Sequence, residues 1–190
     1  MSNIRLLAAA LSLPLLGAGC ASSQPFSTTT IESPATVVEA DESDFTPSTG
    51  ASTGPGEFGP WVNRIVLATS TDGQSFTSTG EVIGDQFDVP DLAILPDGRV
   101  ALYAIAWTAG ARNNQLVVAL SEDNGTTWTY HYVTITGTDS LERGPSPADP
   151  DVVVRDDGTV RMYFTYAAKT HYADSTDGVT FAYGDRKSVV

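Results

Sequence analysis

The sequence predicts an all-β domain made of antiparallel hairpins, and three observations lead to that prediction. Asp-Gly pairs stand between runs rich in Val, Leu and aromatic residues, at Asp97-Gly98 and Asp157-Gly158, which is the strongest short-range hairpin signal. A Ser-x-Asp motif recurs around Asp72, Asp123 and Asp177. No segment of the domain has a convincing amphipathic helical period.

The first repeated unit contains the Asp-Gly turns. Residues 90–103 read P-D-L-A-I-L-P-D-G-R-V-A-L-Y, and residues 150–163, 60 positions later, read P-D-V-V-V-R-D-D-G-T-V-R-M-Y. Each copy is an apolar, β-rich run, a tight turn, and a second run ending in an aromatic residue. This pattern predicts two equivalent hairpins.

The second repeated unit is the Ser-x-Asp motif. It reads S-T-D-G-Q-S-F at residues 70–76, S-E-D-N-G-T-T-W at 121–128 and S-T-D-G-V-T-F at 175–181. Each copy follows a β-like run and marks a second type of hairpin. Because the two hairpin types alternate, they predict four-stranded antiparallel sheets of about 50 to 60 residues, the size of a β-propeller blade.

Two family resemblances follow from these motifs. Residues 121–128 resemble the Asp box, S-x-D-x-G-x-T-W, of the sialidase (BNR) repeat without a mismatch, and the other two copies resemble shortened boxes with Phe for Trp. Residues 148–163, which open with A-D-P, resemble the blade opening of five-bladed glycosidases of the arabinanase and xylosidase type. Together the resemblances cover nearly all of residues 65–183 and imply a β-propeller.

The propeller expected here is incomplete. Residues 61–184 provide about two to three blades, whereas a closed propeller needs about four to eight. Lateral sheet surfaces and strand edges are then expected to stay open.

Residues 1–19 are predicted to be a lipoprotein signal peptide. One early cation, Arg5, precedes an apolar stretch at residues 6–16 that is too short to span a bilayer. The run L-G-A-G-C resembles a bacterial lipobox and implies lipidation of Cys20; the alternative is an ordinary signal with a chance Cys. The protein is thus expected to be secreted and lipid-anchored to the bacterial cell membrane or outer membrane.

Two further segments are set apart from the folded domain. Residues 20–60 continue from the lipidated Cys as a Ser-, Thr-, Pro- and Gly-rich acidic segment without Lys or Arg, which predicts an extended, disordered tether. Residues 185–190, D-R-K-S-V-V, have a reverse translation that matches a common sequencing adapter. We interpret them as a non-native tail and expect the natural protein to continue beyond Gly184; the alternative is a genuine basic tail.

Composition excludes several classes of protein. The 23 acidic and 10 basic side chains give a formal charge of -13, which leaves no basic surface for a nucleic-acid partner. One Cys permits neither an intrachain disulfide nor a Cys-based zinc cluster. The sequence indicates no cofactor and no metal.

The Asp-box aspartates Asp72, Asp123 and Asp177 are predicted to be structural. A turn Asp accepts backbone N–H bonds across its own turn, and in the families that the chain resembles the box lies at the blade periphery. A calcium loop is the alternative, although E-D-N-G lacks the ligand spacing of an EF-hand.

The candidate site lies where the inner strands begin, at Asp88, Asp91, Asp149 and Asp151. Glycoside hydrolysis needs two carboxyl groups. The A-D-P resemblance implies that Asp149 is the general base, with Asp88 or Asp91 as a partner and the acid in a later blade. Asp151 and the indole of Trp107 are predicted to contact sugar. The alternative for Asp149 is a strand-capping Asp before Pro.

A sialidase proper would need three arginines that grip the substrate carboxylate. Arg64 precedes its Asp box too closely for the sialidase motif, and no triad is evident among the others, Arg99, Arg112, Arg143, Arg155 and Arg161. His131 and His171 lie in aromatic strand contexts without a partner at metal spacing.

The predicted function is therefore extracytoplasmic glycoside hydrolysis or related carbohydrate handling, of the exo-sialidase or the arabinanase and xylosidase type. The predicted partners are a glycan and the membrane. The main alternative is a non-catalytic propeller that binds or scaffolds at the cell surface, and a weaker one is an assembly or stability factor there.

Overall fold

A computed structural model describes residues 45, 47, 59–109, 112–141 and 146–184, together with the backbone of residues 4–8. Twelve strands and two short 3₁₀ turns form within these residues, and no α-helix does. The strands make three sheets, none of which closes on itself. The predicted all-β class and its antiparallel hairpins are confirmed.

Sheet A has the order β1-β2-β3, and sheet B has the order β4-β5-β6-β7 and is antiparallel throughout. The 3₁₀ turn η1 (Pro60–Val62) precedes β2. The strands of the two sheets are β1 (Ile4–Ala8), β2 (Arg64–Thr69), β3 (Thr77–Asp85), β4 (Phe87–Ile94), β5 (Val100–Ala109), β6 (Arg112–Ser121) and β7 (Thr129–Tyr132).

Sheet C has the order β8-β12-β11-β10-β9. Its strands are β8 (Thr134–Thr136), β9 (Ala148–Val154), β10 (Val160–Tyr166), β11 (Lys169–Ser175) and β12 (Thr180–Tyr183), and a second 3₁₀ turn, η2 (Thr138–Ser140), follows β8. Strands β9 to β12 form the antiparallel four-strand unit that the repeat predicts, and β8 adds to β12 in parallel.

The two Asp-Gly turns have the same hydrogen bonds. In the β4–β5 turn, Gly98 N–H donates to Leu95 O at 2.9 Å, and in the β9–β10 turn Gly158 N–H donates to Arg155 O at 2.9 Å. Both glycines have left-handed φ angles, 92° and 82°, which glycine adopts without steric cost. The 60-residue repeat is therefore a repeat of backbone structure as well as of sequence.

Sheet B lies between the other two sheets and buries both of its faces. On one face Tyr103, Ile105 and Val118 pack with residues of sheet C such as Met162 and Phe181. The opposite face packs with sheet A; its core contains Leu102, Ala104, Val117, Ile65 and Ile83. Each fully buried large side chain contributes about 1.5–3 kcal/mol, so these two interfaces hold the three sheets together.

Two further contacts involve residues outside the predicted domain of residues 61–184. Residues 4–8, inside the predicted signal segment, pair in parallel with β2 at the edge of sheet A, where β2 offers unpaired backbone groups to an apolar, β-capable segment. Phe45, inside the predicted tether, is buried against Tyr132, with ring centroids 4.9 Å apart. An aromatic ring in a polar segment thus contributes to the core between sheets A and B.

Candidate functional site

The full Asp box forms the β6–β7 hairpin and uses its carboxylate to hold the turn. Asp123 Oδ1 accepts backbone N–H bonds from Thr126 at 3.1 Å and Thr127 at 2.8 Å, and the Ser121 hydroxyl donates to the same oxygen at 2.8 Å. These bonds favour the ionised form and lower the pKa of Asp123 to about 2.

The two short boxes have an equivalent geometry. Asp72 Oδ1 accepts N–H bonds from Gln74 and Ser75, both at 2.8 Å, which lowers the pKa of Asp72 to about 2. Asp177 Oδ1 accepts N–H bonds from Val179 and Thr180 at the same distance. In all three boxes the carboxylate faces its own turn.

Strands β4 and β9, which precede the two Asp-Gly turns, each begin with a β-bulge. The register shifts between Asp88 and Asp91 on β4 and opposite Tyr163 and Thr165 next to β9. At each bulge the residue before a proline has a left-handed backbone, Val89 with φ 45° and Asp149 with φ 52°. Such a conformation costs of order 1–3 kcal/mol in a non-glycine residue and turns the side chain out of the regular pleat.

The bulges separate the four candidate aspartates into two groups. On β4, Asp88 Oδ1 accepts the N–H of Val89 at 2.8 Å, and Asp91 Oδ2 accepts the N–H of Val152, on β9, at 2.5 Å. On β9, Asp149 and Asp151 are exposed, and neither carboxylate has a hydrogen-bond or ion-pair partner among the described residues. Asp88 and Asp91 are thus bound to backbone N–H groups, whereas Asp149 and Asp151 are accessible to solvent.

The repeat refines the alignment of these positions. At an offset of 60, Asp91 is equivalent to Asp151, whereas the residue equivalent to Asp149 is Val89 and not Asp88. Both repeats contain the same bulge, but only the second has a carboxylate at this position, Asp149. The left-handed backbone there belongs to the bulge itself, because Val89 has it too.

Trp107 lies on β5 and is half-buried. Its ring meets that of Trp61 edge-on, with centroids 5.0 Å apart and an interplanar angle of 61°. Its backbone N–H donates to the carbonyl of Gln86, the residue between β3 and β4. The two indoles form one aromatic pair beside the end of β3 rather than a single isolated stacking platform.

The described arginine side chains are paired with acids of their own hairpins. Arg64 binds both Asp85 carboxylate oxygens, at 3.0 and 3.2 Å. Arg161 binds both oxygens of Asp174 at 2.7 Å, which holds the pKa of Asp174 below its usual range. The remaining ion pairs join Arg99 to Asp97 and Arg155 to Asp157. No triad of arginines converges among these four side chains; the side chains of Arg112 and Arg143 lie outside the description.

The histidines lie in aromatic surroundings. His131 is buried on β7, and His171 Nδ1 is 2.9 Å from the Tyr183 hydroxyl while its ring stacks on Phe164. Within the described part of the chain, no group of three or more His, Cys, Asp or Glu side chains is placed to hold a metal ion.

Sequence reasoning missed the most deeply buried polar contact between the sheets. Tyr103, on β5, is fully buried, and its hydroxyl donates to the carbonyl of Gly178 in the third Asp box at 2.8 Å. Burial raises the pKa of Tyr103. Tyr103 and Tyr163 end the two copies of the first repeat, but this pattern does not indicate a partner 75 residues away.

Other predictions fall outside the described residues. They concern the predicted lipidation of Cys20, all but isolated positions of residues 20–60, and residues 185–190. Among the residues that the structure describes, no helix is long and apolar enough to cross a membrane.

No known family model matches the chain, and no curated protein matches it.

Proposed function

We propose that this protein is an extracytoplasmic, carbohydrate-active β-propeller lipoprotein of the glycoside hydrolase type, in which Asp149 acts as the general base. The observation that carries the proposal is the state of Asp149, an exposed carboxylate on the bulge of an inner strand without a partner among the described residues. Most other aspartates near the hairpins are bound to backbone groups or arginines. The proposed lipid anchor is attached to Cys20, because residues 16–20 resemble a lipobox.

The stacking of the sheets supports the propeller. Sheets A, B and C pack face to face in chain order, and each outer hairpin carries an Asp box. The inner strands β4 and β9 are neighbours, joined by the bond from Val152 N–H to Asp91. This arrangement is what successive blades require, with the beginnings of the inner strands gathered on one side.

Neutral sugars fit the site better than sialic acid. A substrate carboxylate would meet a protein with a formal charge of -13, and the four described arginine side chains are already paired with aspartates. Like charges disfavour such a complex. The proposal is therefore a neutral glycan, of the arabinan or xylan class that the A-D-P resemblance implies, with sialosides as the less favoured alternative.

In the proposed reaction, water is the nucleophile and Asp149 is the base that activates it. The Asp149 carboxylate takes one proton from a water molecule, the water oxygen bonds to the anomeric carbon, and the glycosidic C–O bond breaks. The leaving oxygen receives a proton from a carboxylic acid on the opposite face of the sugar, which the resemblance to the five-bladed glycosidases implies in a later blade. In an inverting enzyme the two carboxyl groups are about 6.5–9.5 Å apart, which leaves room for the water.

The test is hydrolysis of aryl arabinofuranosides, aryl xylosides and aryl sialosides by the full chain. We expect turnover of a pentoside, and we expect Asp149→Ala to lower kcat by about 100-fold or more with an unchanged fold. Azide should restore turnover of that variant as a glycosyl azide, because the azide anion attacks without a base. The matched control is Asp156→Asn, an exposed carboxylate at the turn end of the same hairpin. Turnover by Asp149→Ala at the wild-type rate would refute the role.

A second candidate, a non-catalytic glycan-binding propeller, is favoured by one observation. The described glutamates, Glu81 and Glu122, lie on β3 and in an Asp box, so neither stands at the beginning of an inner strand to act as the acid. If the wild-type chain binds arabino- or xylo-oligosaccharides by calorimetry but hydrolyses none, and Asp149→Ala loses that binding, the protein is the binder.

A further inference from the structure

The full Asp box contains the only Asn-Gly pair of the sequence, Asn124-Gly125. Asparagine is a chemically labile residue, and it is most labile before glycine, because glycine has no side chain to shield its backbone nitrogen. That nitrogen attacks the carbonyl carbon of the asparagine side chain, which then loses its amide group. The sequence context alone therefore favours rapid deamidation at this position.

The local structure exposes one reacting group and restrains the other. Asn124 lies in the β6–β7 turn with an exposed side chain and a left-handed φ of 58°, and its side-chain amide has no hydrogen-bond partner among the described residues. Gly125 is buried, and its N–H donates to the Ser121 hydroxyl oxygen at 2.8 Å. The electrophilic carbon is thus accessible, whereas the nucleophilic nitrogen is held in a hydrogen bond.

The Ser121 hydroxyl is fixed within the hydrogen-bond network of the box. Ser121 is 1% exposed, and its hydroxyl donates to Asp123 Oδ1 at 2.8 Å while it accepts the N–H of Gly125. Asp123 in turn accepts the N–H groups of Thr126 and Thr127. The Gly125 nitrogen must lose its bond to Ser121 before it attacks, and a buried donor or acceptor that loses its partner is costly. The network therefore opposes the reaction.

Every Asp-Gly pair of the chain has the same restraint. In the two short boxes the glycine N–H donates to the box serine, and in the β4–β5 and β9–β10 turns it donates to the carbonyl of the third residue before it. All four distances are 2.9 Å, at Gly73, Gly178, Gly98 and Gly158. Aspartate before glycine cyclises by the same attack, with loss of water in place of ammonia. The box serine therefore restrains in the boxes the nitrogen that a carbonyl restrains in the turns.

We propose that Asn124 is a deamidation site whose rate is controlled by Ser121. When the hairpin opens locally, the Gly125 nitrogen forms a bond to Cγ of Asn124 and the bond from Cγ to the side-chain nitrogen breaks. Ammonia leaves with the proton of the Gly125 nitrogen, and a cyclic imide remains. Water then adds to either imide carbonyl and opens the ring, which leaves aspartate or isoaspartate at position 124.

Deamidation changes the hairpin in two ways. It adds a negative charge directly after Glu122 and Asp123, and isoaspartate adds a carbon atom to the main chain within the turn. The carbonyl of Gly125 accepts the indole N–H of Trp128 at 3.1 Å, and Trp128 packs with Leu67 against the core between sheets A and B. The modified turn is therefore expected to loosen the contact of this indole with its own hairpin.

The test is the rate of deamidation at Asn124, followed by peptide mass spectrometry of the full chain incubated with and without guanidinium chloride. In the unfolded chain we expect Asn124 to react before the other asparagines. In the folded protein we expect a rate lower by about tenfold or more, because the open hairpin is a minor population. Ser121→Ala should raise the folded rate by about threefold to tenfold for the loss of one hydrogen bond and leave the unfolded rate unchanged.

Ser70→Ala is the matched control, because it removes the same serine–glycine bond from the first short box and leaves the full box intact. It should leave the rate at Asn124 unchanged, and circular dichroism confirms that each variant is folded. Equal rates in the folded and unfolded wild type, or a Ser121→Ala variant that reacts at the folded wild-type rate, would overturn the proposal. If Ser121→Ala does not fold, hydrogen exchange of the wild-type Gly125 amide decides: slow exchange supports control by Ser121, and free exchange overturns it.

Discussion

At the scale of single residues, buried polar contacts decide how the sheets join. Tyr103 combines a fully buried ring with a hydroxyl that donates to Gly178 in another sheet. A buried carbonyl without a donor costs about 1–3 kcal/mol. The hydroxyl therefore contributes to the position of sheet C as well as to stability.

We predict that Tyr103→Phe lowers the free energy of unfolding by about 1–3 kcal/mol at neutral pH and changes its alkaline dependence. Because burial raises the pKa of Tyr103 in the folded state, the native protein keeps a proton that the unfolded chain loses near pH ~10. Wild-type stability is thus fully present below that pH and falls as the pH rises above it. Urea unfolding near neutral pH and above pH ~10 measures both effects. An identical alkaline decline in the variant would show that Tyr103 does not cause it.

The Asp boxes show which residue roles the sequence reveals. The Ser-x-Asp motif predicts a carboxylate that accepts bonds from its own turn, and all three box aspartates accept two backbone N–H bonds within four residues. The roles of Asp91 and Tyr103 were not predictable in this way. Their partners lie 61 and 75 residues away, and only packing of the sheets brings them into contact.

At the scale of elements, the hairpins were predictable and the bulges were not. Asp-Gly fixes the turns of β4–β5 and β9–β10 through local chemistry. The bulges place Val89 and Asp149 in left-handed conformations directly before proline, which sequence rules disfavour. These strained φ angles persist because the hydrogen bonds and packing of the surrounding sheet determine the backbone there.

The turn glycines provide a prediction at this scale. Gly178 and Gly158 both have left-handed φ angles, 80° and 82°, so alanine at either position costs about 1–2 kcal/mol. A Cβ at Gly178 would also lie 2.8 Å from Leu95 Cδ1 and 3.0 Å from the Tyr103 hydroxyl oxygen, whereas a Cβ at Gly158 would meet nothing within 4 Å. We expect Gly178→Ala to be the more destabilising variant by about 1–3 kcal/mol.

Thermal unfolding of the two alanine variants measures this difference. Equal midpoints would mean that the hairpin of sheet C shifts freely against sheet B. Such a result would contradict the tight contact between Tyr103 and the third Asp box.

At the scale of the whole molecule, the described residues form three stacked sheets, and the outer faces of sheets A and C differ. Sheet C presents an exposed cross-strand pair, Asp151 and Tyr163, and sheet A presents an Asp box whose Phe76 is exposed. The sequence predicted open lateral surfaces from the number of repeats alone.

The position of Asp149 connects this architecture with the proposed function. Stacking of the sheets brings the beginnings of β4 and β9 side by side, and the bulge exposes a carboxylate on β9 that the backbone does not use. The resemblance to glycosidase blades pointed to this residue. The backbone commitments of Asp88 and Asp91 could not be read from the sequence, because each depends on the bulge or on the neighbouring sheet.

The most direct test of the proposed site is a titration followed by the side-chain carboxyl ¹³C resonances of Asp149 and Asp156. Arabino- and xylo-oligosaccharides are added separately to the ¹³C-labelled protein, with sialyllactose as the charged comparison. We predict that one neutral oligosaccharide shifts the Asp149 resonance saturably and leaves that of Asp156 unchanged, whether or not the sugar is hydrolysed. An Asp149 resonance that stays fixed while an oligosaccharide binds elsewhere would contradict a carbohydrate site at the beginning of β9.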